Sequence, residues 1–285
     1  MRSIVTNSHV LVAIHVAMLL MIVVLISDSS FEDQLFRLLV ERSVSPEMPA
    51  QDQVMAILHR THALVKPNFE MFAGHQPSSL RERFFASADL QLHEGYAACG
   101  SFSHVLARAL QVAGFEVRMG QMLAGNEGGG AIHVIVEAKV DGRWVVLDPI
   151  FDLAFFRDDG RLATVADLRR NWSHYRRQLP RNYSPSYDYS GMRHTHWDLI
   201  PAFATIWRPL LLHFFDPEEI DGFCFRSYFL NLYKAYAIAL SCLYVVLAAG
   251  TAVLMGHRIA RRTAVRRTGL EPDRALPDWS LSAGN

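Results

Sequence analysis

Two runs of the chain have no hydrophobic periodicity because almost every position in them is apolar. Val10 to Ile26 reads VLVAIHVAMLLMIVVLI, and Ala235 to Gly256 reads AYAIALSCLYVVLAAGTAVLMG; neither carries a formal charge. A bilayer is crossed by about 20 such residues, so 9–27 and 235–256 are predicted transmembrane helices. For the first run a cleaved signal peptide is the rival. Its n-region holds only Arg2, the apolar run exceeds a usual h-region, and Ser27-Asp28-Ser29-Ser30 is not an Ala-x-Ala cleavage site. The reading is therefore an uncleaved anchor. A third apolar stretch, Leu199 to Phe215, is broken by Pro201, Arg208 and Pro209; charge and proline at its middle argue for a buried or interfacial helix rather than a span.

Between the runs the pattern becomes periodic. Phe31, Leu35, Leu38 and Leu39 recur at helical spacing over 31–43, and Val54, Ile57 and Leu58 do so over 50–65, ahead of Pro67. Pro77-Ser78-Ser79 opens a short predicted helix through Phe85. From Cys99 to Ala113 the apolar positions Phe102, Val105, Leu106, Ala109 and Leu110 recur at three and four, an amphipathic helix that Gly114 stops. Three β-rich runs follow: Glu116 to Leu123, Ile132 to Val140 and Arg143 to Leu147. The last two are joined by Asp141-Gly142, the strongest short hairpin signal.

This order predicts an α+β domain between two membrane helices. Residues 1–8 form a short N-terminus, 28–93 a helical part, 94–198 the core with a basic and aromatic loop, 199–234 an apolar membrane-proximal segment, and 257–285 a basic, partly disordered tail. Arg258, Arg261, Arg262, Arg266 and Arg267 follow the second span directly, and positive residues mark the cytoplasmic side. Both termini are then expected in the cytoplasm and residues 28–234 outside it, in an integral protein of a bacterial inner membrane. Composition agrees. Hydrophobic residues are 51% of the chain and charged ones 20%, which excludes general disorder. Lys+Arg 28 against Asp+Glu 28 gives no basic surplus for nucleic acid. Three cysteines and no CxxC pair exclude a disulfide scaffold. No cofactor is expected. Of the thirteen histidines, His59 with His62 and His194 with His196 are close pairs, but no HExxH motif or thiolate set accompanies them.

The hairpin allows a geometric test. With Asp141-Gly142 as a two-residue loop, Val140 faces Arg143 and, counting outward, Ile135 faces Asp148. His133 lies two residues from Ile135, on the same face and diagonal to Asp148, within side-chain reach. The carboxylate would orient the imidazole and leave its second nitrogen free as a base. Cys99, at the start of the amphipathic helix, sits where unpaired N–H groups and the helix dipole favour a thiolate. A helix packed across the sheet would set that thiol over the hairpin. Gln91 and Tyr96 are candidate oxyanion donors. The stretch from Arg157 to Arg193, with Tyr183, Tyr187 and Tyr189, is either a solvated surface segment or a loop that contacts anionic headgroups or frames the site.

Cys99-Gly-Ser-Phe-Ser-His-Val-Leu through Ala113-Gly114-Phe115-Glu116-Val117-Arg118, His133 with Val134 to Glu137, and Gly142-Arg143-Trp144-Val145-Val146-Leu147-Asp148-Pro149 together resemble the transglutaminase-like superfamily. The resemblance implies a papain-like core with a cysteine-bearing helix packed on an antiparallel sheet, Cys99 as nucleophile, His133 as general base and acid, and Asp148 as orienter. It departs at Ala97, where a glycine is usual, and at Val134, where an aromatic often follows the histidine. The expected activity is acyl transfer or amide hydrolysis through a Cys99 thioester on a peptide or protein substrate. The alternative is an inactive binding or assembly module with envelope protein partners. Membrane lipid is the other expected partner.

Overall fold

The computed structural model describes residues 2–72, 87–94, 99–124, 130–187 and 189–268. The predicted helix of 77–85, Tyr96 and the tail beyond 268 lie outside these residues. The chain divides into two units, Met1–Ile22 with Ile238–Asn285, and Val23–Ala237.

The first unit is built from the outer parts of two helices, α1 (Arg2–Glu41) and the last helix of the chain (Leu232–Thr268). Both are long and apolar enough to cross a membrane. Their side chains are mostly exposed, as in Val12, Leu20, Val23, Val245, Val246 and Leu254. Polar contacts between them are few: His15 Nε2 lies 3.2 Å from Thr251 Oγ1, and the His15 ring meets Tyr244 edge-on.

Two expected boundaries dissolve. The membrane run and the predicted helix of 31–43 are one continuous α1, because Ser27 to Ser30 contain no breaker and Ser30 Oγ donates back to the Ile26 carbonyl at 2.9 Å. Likewise α2 (Ala50–Met71) runs through Pro67. The next residue, Asn68, secures the helix there by donating from Nδ2 to the Leu64 and Leu92 carbonyls.

The second unit is an α+β domain. After α2 come α3 (Ala88–Glu94), α4 (Cys99–Val112), and strands β1 (Val117–Leu123), β2 (Ala131–Val140), β3 (Arg143–Asp148) and β4 (Leu153–Ala154). Then follow α5 (Val165–Arg170), α6 (Trp172–Tyr175), β5 (Met192–Arg193), α7 (Arg208–Leu211), α8 (Pro217–Gly222) and the start of α9 (Leu232–Thr268). The strands form one antiparallel sheet in the order β4-β3-β2-β1-β5. Asp141 and Gly142 both have positive φ, 49° and 77°, the conformation of the two-residue hairpin turn. Val140 pairs with Arg143, and the register runs out to Val136 with Leu147. Gly114, at φ 93°, stops α4 as expected.

The two faces of the sheet bury different sets. Val134, Val136, Ala138, Val145 and Leu147 pack with Phe102, Val105, Leu106 and Ala109 of α4 and with Val54, Ile57 and Leu58 of α2. Met122, Ile135 and Val146 pack on the other side with Phe155, Leu168, Tyr175, Tyr183 and Tyr189. Burial of such side chains stabilises by roughly 1.5–3 kcal/mol each. The inner part of α1 is tied to α4 through a buried cation: Arg108 Nε donates to Glu32 Oε1 at 3.0 Å, and its Nη2 meets Asp33.

Residues 199–229 are not a continuous helix. They form short turns, a π-type turn over Phe203–Trp207 and the four-residue α7. Only part of the segment is buried: Phe203 is, whereas Leu199, Ile206, Leu210, Phe214 and Tyr228 are exposed. The interior helix is therefore excluded, since Pro201 and Pro209 break its ladder.

Candidate functional site

Cys99 is the first residue of α4, His133 the third of β2 and Asp148 the last of β3. Two local features aim the histidine. The register of β1 on β2 slips between Met122 and Leu123, so Ile132 is an extra residue directly before His133; such bulges re-aim side chains. The diagonal between His133 and Asp148 is set by the hairpin, and His133 Nε2 lies 2.7 Å from Asp148 Oδ2 with both side chains buried. With Nε2 engaged, Nδ1 is the ring nitrogen left for the Cys99 thiol, and the two groups shift one another's titration.

The route by which the thiol arrives differs from the expected one. The helix packs on the face that carries Val134 and Val136, whereas the rings around His133 belong to the opposite face. Cys99 approaches the imidazole near the strand backbone, where the Val134 backbone helps to lower the thiol's pKa. Ser103 Oγ donates to the Val134 carbonyl at 2.9 Å, pinning the first turn of α4 to the same residue. The thiol is half-buried.

Electrostatics favour charge separation. Burial alone opposes an imidazolium at His133, but the hydrogen bonds to Asp148 and Cys99 outweigh it and lift the group from 6.5 to about 9. Burial likewise opposes a thiolate at Cys99, yet the hydrogen bond from His133 and its charge bring the thiol below its ordinary value. The two shifts run toward an ion pair, the thiol downward and the imidazole upward.

An aromatic cage surrounds the imidazole. Tyr187 stacks on it at 4.3 Å between centroids and 6° between planes, with Phe151 and Tyr183 approaching edge-on. Tyr183 donates its hydroxyl hydrogen to Asp148 Oδ2 at 3.2 Å, and its oxygen lies 3.1 Å from the Tyr189 hydroxyl. Burial raises Tyr183 and Tyr189 far above the ordinary phenol range, so both stay neutral donors. Asp148 Oδ1 is buried with no partner among the described residues. The sequence marks these tyrosines only as part of a basic and aromatic stretch, equally readable as a solvated surface. The spacing Tyr183, Tyr187, Tyr189 carried no signal for a partner fifty residues upstream.

The remaining candidates fall elsewhere. Gln91, on α3, donates from Nε2 to His104 Nδ1 at 3.0 Å, and His104 Nε2 meets the Leu230 carbonyl at 2.9 Å. Burial holds His104 below its ordinary value, consistent with a neutral ring that accepts on one nitrogen and donates on the other. Tyr96 is outside the described residues. His59 and His62 face Asp152 at 2.7 Å and the Pro149 carbonyl at 2.9 Å, bracing the turn that follows Asp148. Cys224 is buried against the Met119 backbone, with its sulfur accepting from the N–H at 3.3 Å.

A thiol at a helix start, an imidazole and a carboxylate on neighbouring antiparallel strands, in an α+β frame, define a thiol–imidazole–carboxylate site of the papain-like type. Residues 41–149 match the family model of the transglutaminase-like superfamily, and this part of the chain is a transglutaminase-like domain. The match ends one residue past Asp148, so the tyrosine cage lies outside it. No curated protein and no solved structure matches the chain.

Proposed function

We propose that the protein is a membrane-anchored thiol enzyme that transfers acyl groups or hydrolyses amides through a thioester at Cys99. The observation that carries this reading is the buried His133–Asp148 contact of 2.7 Å with the ring's other nitrogen turned to the thiol. Cys99 attacks an amide carbonyl as the thiolate. The C–N bond breaks as His133 passes its proton to the departing amine, leaving the acyl group on sulfur. Neutral His133 then takes a proton from water or from an acceptor amine, whose attack releases a carboxylic acid or a new amide and restores the thiol. Asp148 keeps Nε2 protonated and the ring oriented throughout. The N–H groups of the first turn of α4 hold the oxyanion; Tyr96 is a further candidate for that role.

The location follows from the helices. Both apolar helices cross the membrane in this reading, and the arginines from Arg258 to Arg267 hold the C-terminus in the cytoplasm. The domain and its peptide or protein substrate are then on the far side of a bacterial inner membrane, with the exposed apolar side chains of 199–229 against the lipid surface. Reporter fusions after Ser30 and after Arg262 test this; a cytoplasmic signal from the first overturns it.

Alkylation of Cys99 by iodoacetamide at pH 7 tests the chemistry. Faster labelling than in the His133→Ala variant, and a Cys99 acyl adduct trapped from envelope peptides, support the enzyme. Equal labelling rates overturn it and favour a transglutaminase-like binding module.

A further inference from the structure

Beside the thiol site, at the β5 edge of the sheet, lies a cavity of ≈ 510 Å³. Apart from Leu123 at the end of β1, its walls come from residues beyond the part matched by the family model. Three arginines reach it: Arg169 from α5, Arg193 from β5 and Arg208 from α7. Of the two carboxylates in its wall, Asp221 faces Arg208 at 3.7 Å and Asp198 lies 3.9 Å from the His196 ring. Among the described residues Arg169 and Arg193 face none. Each is held at its Nε alone, Arg169 donating to the Tyr189 carbonyl at 2.7 Å and Arg193 to Gln121 Oε1 at 3.1 Å. Their Nη groups have no acceptor among the described residues. The lining thus offers fixed donors and a positive excess with nothing to receive them, which suits a planar or tetrahedral oxyanion.

The register places this cavity relative to the thiol. Arg193 pairs with Gln121, and Gln121 pairs with Val134, whose backbone acts on the Cys99 thiol. Two strand spacings separate Arg193 from Val134, about 10 Å in all. An extended peptide covers that distance in about three residues.

We propose that this cavity binds a carboxylate or phosphate group carried by the acyl donor, about three residues from the amide carbonyl that Cys99 attacks. The proposal rests on the thioester reading for the donor's reaction but not for the binding. Full-length Cys99→Ser protein in detergent is titrated by calorimetry with inorganic phosphate and, separately, with succinate. Saturable binding of either is expected, and the anion that saturates identifies the group. The double variant Arg169→Gln/Arg193→Gln should bind about tenfold more weakly or worse, while Arg176→Gln, on the exposed surface, should bind as the parent does. Circular dichroism melting checks folding. If the double variant does not fold, Arg193→Lys carries the test, because it keeps the charge and loses the fork; several-fold weaker binding is expected. Absence of saturation by both anions, or unchanged affinity in the folded arginine variants, overturns the proposal. Because the sulfur is absent here, failure of the thiol chemistry leaves these outcomes unchanged.

Discussion

Strand β2 carries two buried carboxylate–imidazole contacts, and the difference between them separates a reactive site from a clasp. At one end His133 Nε2 meets Asp148 at 2.7 Å; farther along, Glu137 meets His194 Nε2 at 2.6 Å. The distances are alike. The surroundings are not. Glu137 also receives two bonds from Arg118, at 2.9 and 3.0 Å, and Arg118 lies over the Trp144 ring at 4.4 Å. Burial opposes charge on Glu137, but His194 and Arg118 together bring it below the usual carboxylate value. The second nitrogen of His194 faces the Asp221 carbonyl, so every strong group there has a partner. That cluster joins β2 to the segment before α8 and has no proton to exchange with a substrate. Around His133, among the described residues, the carboxylate has only a tyrosine besides the imidazole, one of its oxygens has no partner, and the ring also interacts with the Cys99 thiol. Residual capacity, not the short contact, distinguishes a candidate acid–base pair.

The widest separation between the two clusters should come from removing each imidazole's function in turn. His133→Ala deprives the half-buried thiol of its charge partner, so Cys99 returns toward or above the ordinary thiol value. Its alkylation rate at pH 7 should fall by one to two orders of magnitude, roughly in proportion to the thiolate fraction. Glu137→Ala leaves Arg118 and His194 without their shared acceptor. It should cost about 3–5 kcal/mol of stability, read as a lower denaturation midpoint, while labelling of Cys99 in the folded fraction is unchanged. A Glu137→Ala protein that folds normally yet labels slowly would dissolve the distinction.

The pH dependence sharpens the same contrast. His133 sits at about 9 in the folded protein against 6.5 unperturbed, so its contribution to stability is complete below about pH 6.5 and is lost as pH rises through 9. Cys99 moves the opposite way, and its contribution is lost as pH falls through its lowered value. Acylation through a thiolate and an imidazolium should therefore follow a bell whose upper limb lies near pH 9. Alkylation of the thiol should keep no such upper limb, because it needs only the thiolate.

How much of this was legible beforehand depends on sequence separation. The Asp141-Gly142 turn, with both residues at positive φ, determines the strand register, and fifteen residues of chain between His133 and Asp148 were enough to put those side chains side by side. Cys99 at a helix start was legible from the spacing of Phe102, Val105 and Leu106. The face on which that helix packs was not, because alternation along β2 marks two buried sides without saying which one receives the helix. Nor was the cage: Tyr187 finds His133 through the path of a loop with short helices and turns, which no local period encodes. The continuity of α1 through Asp28 was missed for a simpler reason. Polar residues were taken to end a membrane run, although serine and aspartate do not break a helix as proline does.

Smaller effects should come from the cage, which is where the reactive pair gains what the Glu137 cluster lacks, a face for its charge. Tyr187 lies parallel to the imidazole at 4.3 Å, and a ring face stabilises a cation by about 0.5–2 kcal/mol. Tyr187→Ala should lower the upper limb of the bell by about one pH unit or less, whereas Tyr187→Phe keeps the ring and should leave it in place. Tyr183→Phe removes one donor from Asp148, a change of about 1 kcal/mol, and makes the carboxylate a stronger acceptor for His133. That variant should move the upper limb in the opposite direction, toward higher pH. Opposite signs from two neighbouring tyrosines are what a cage acting on the charge of His133 requires; equal shifts, in either direction, would mean that the rings serve packing alone.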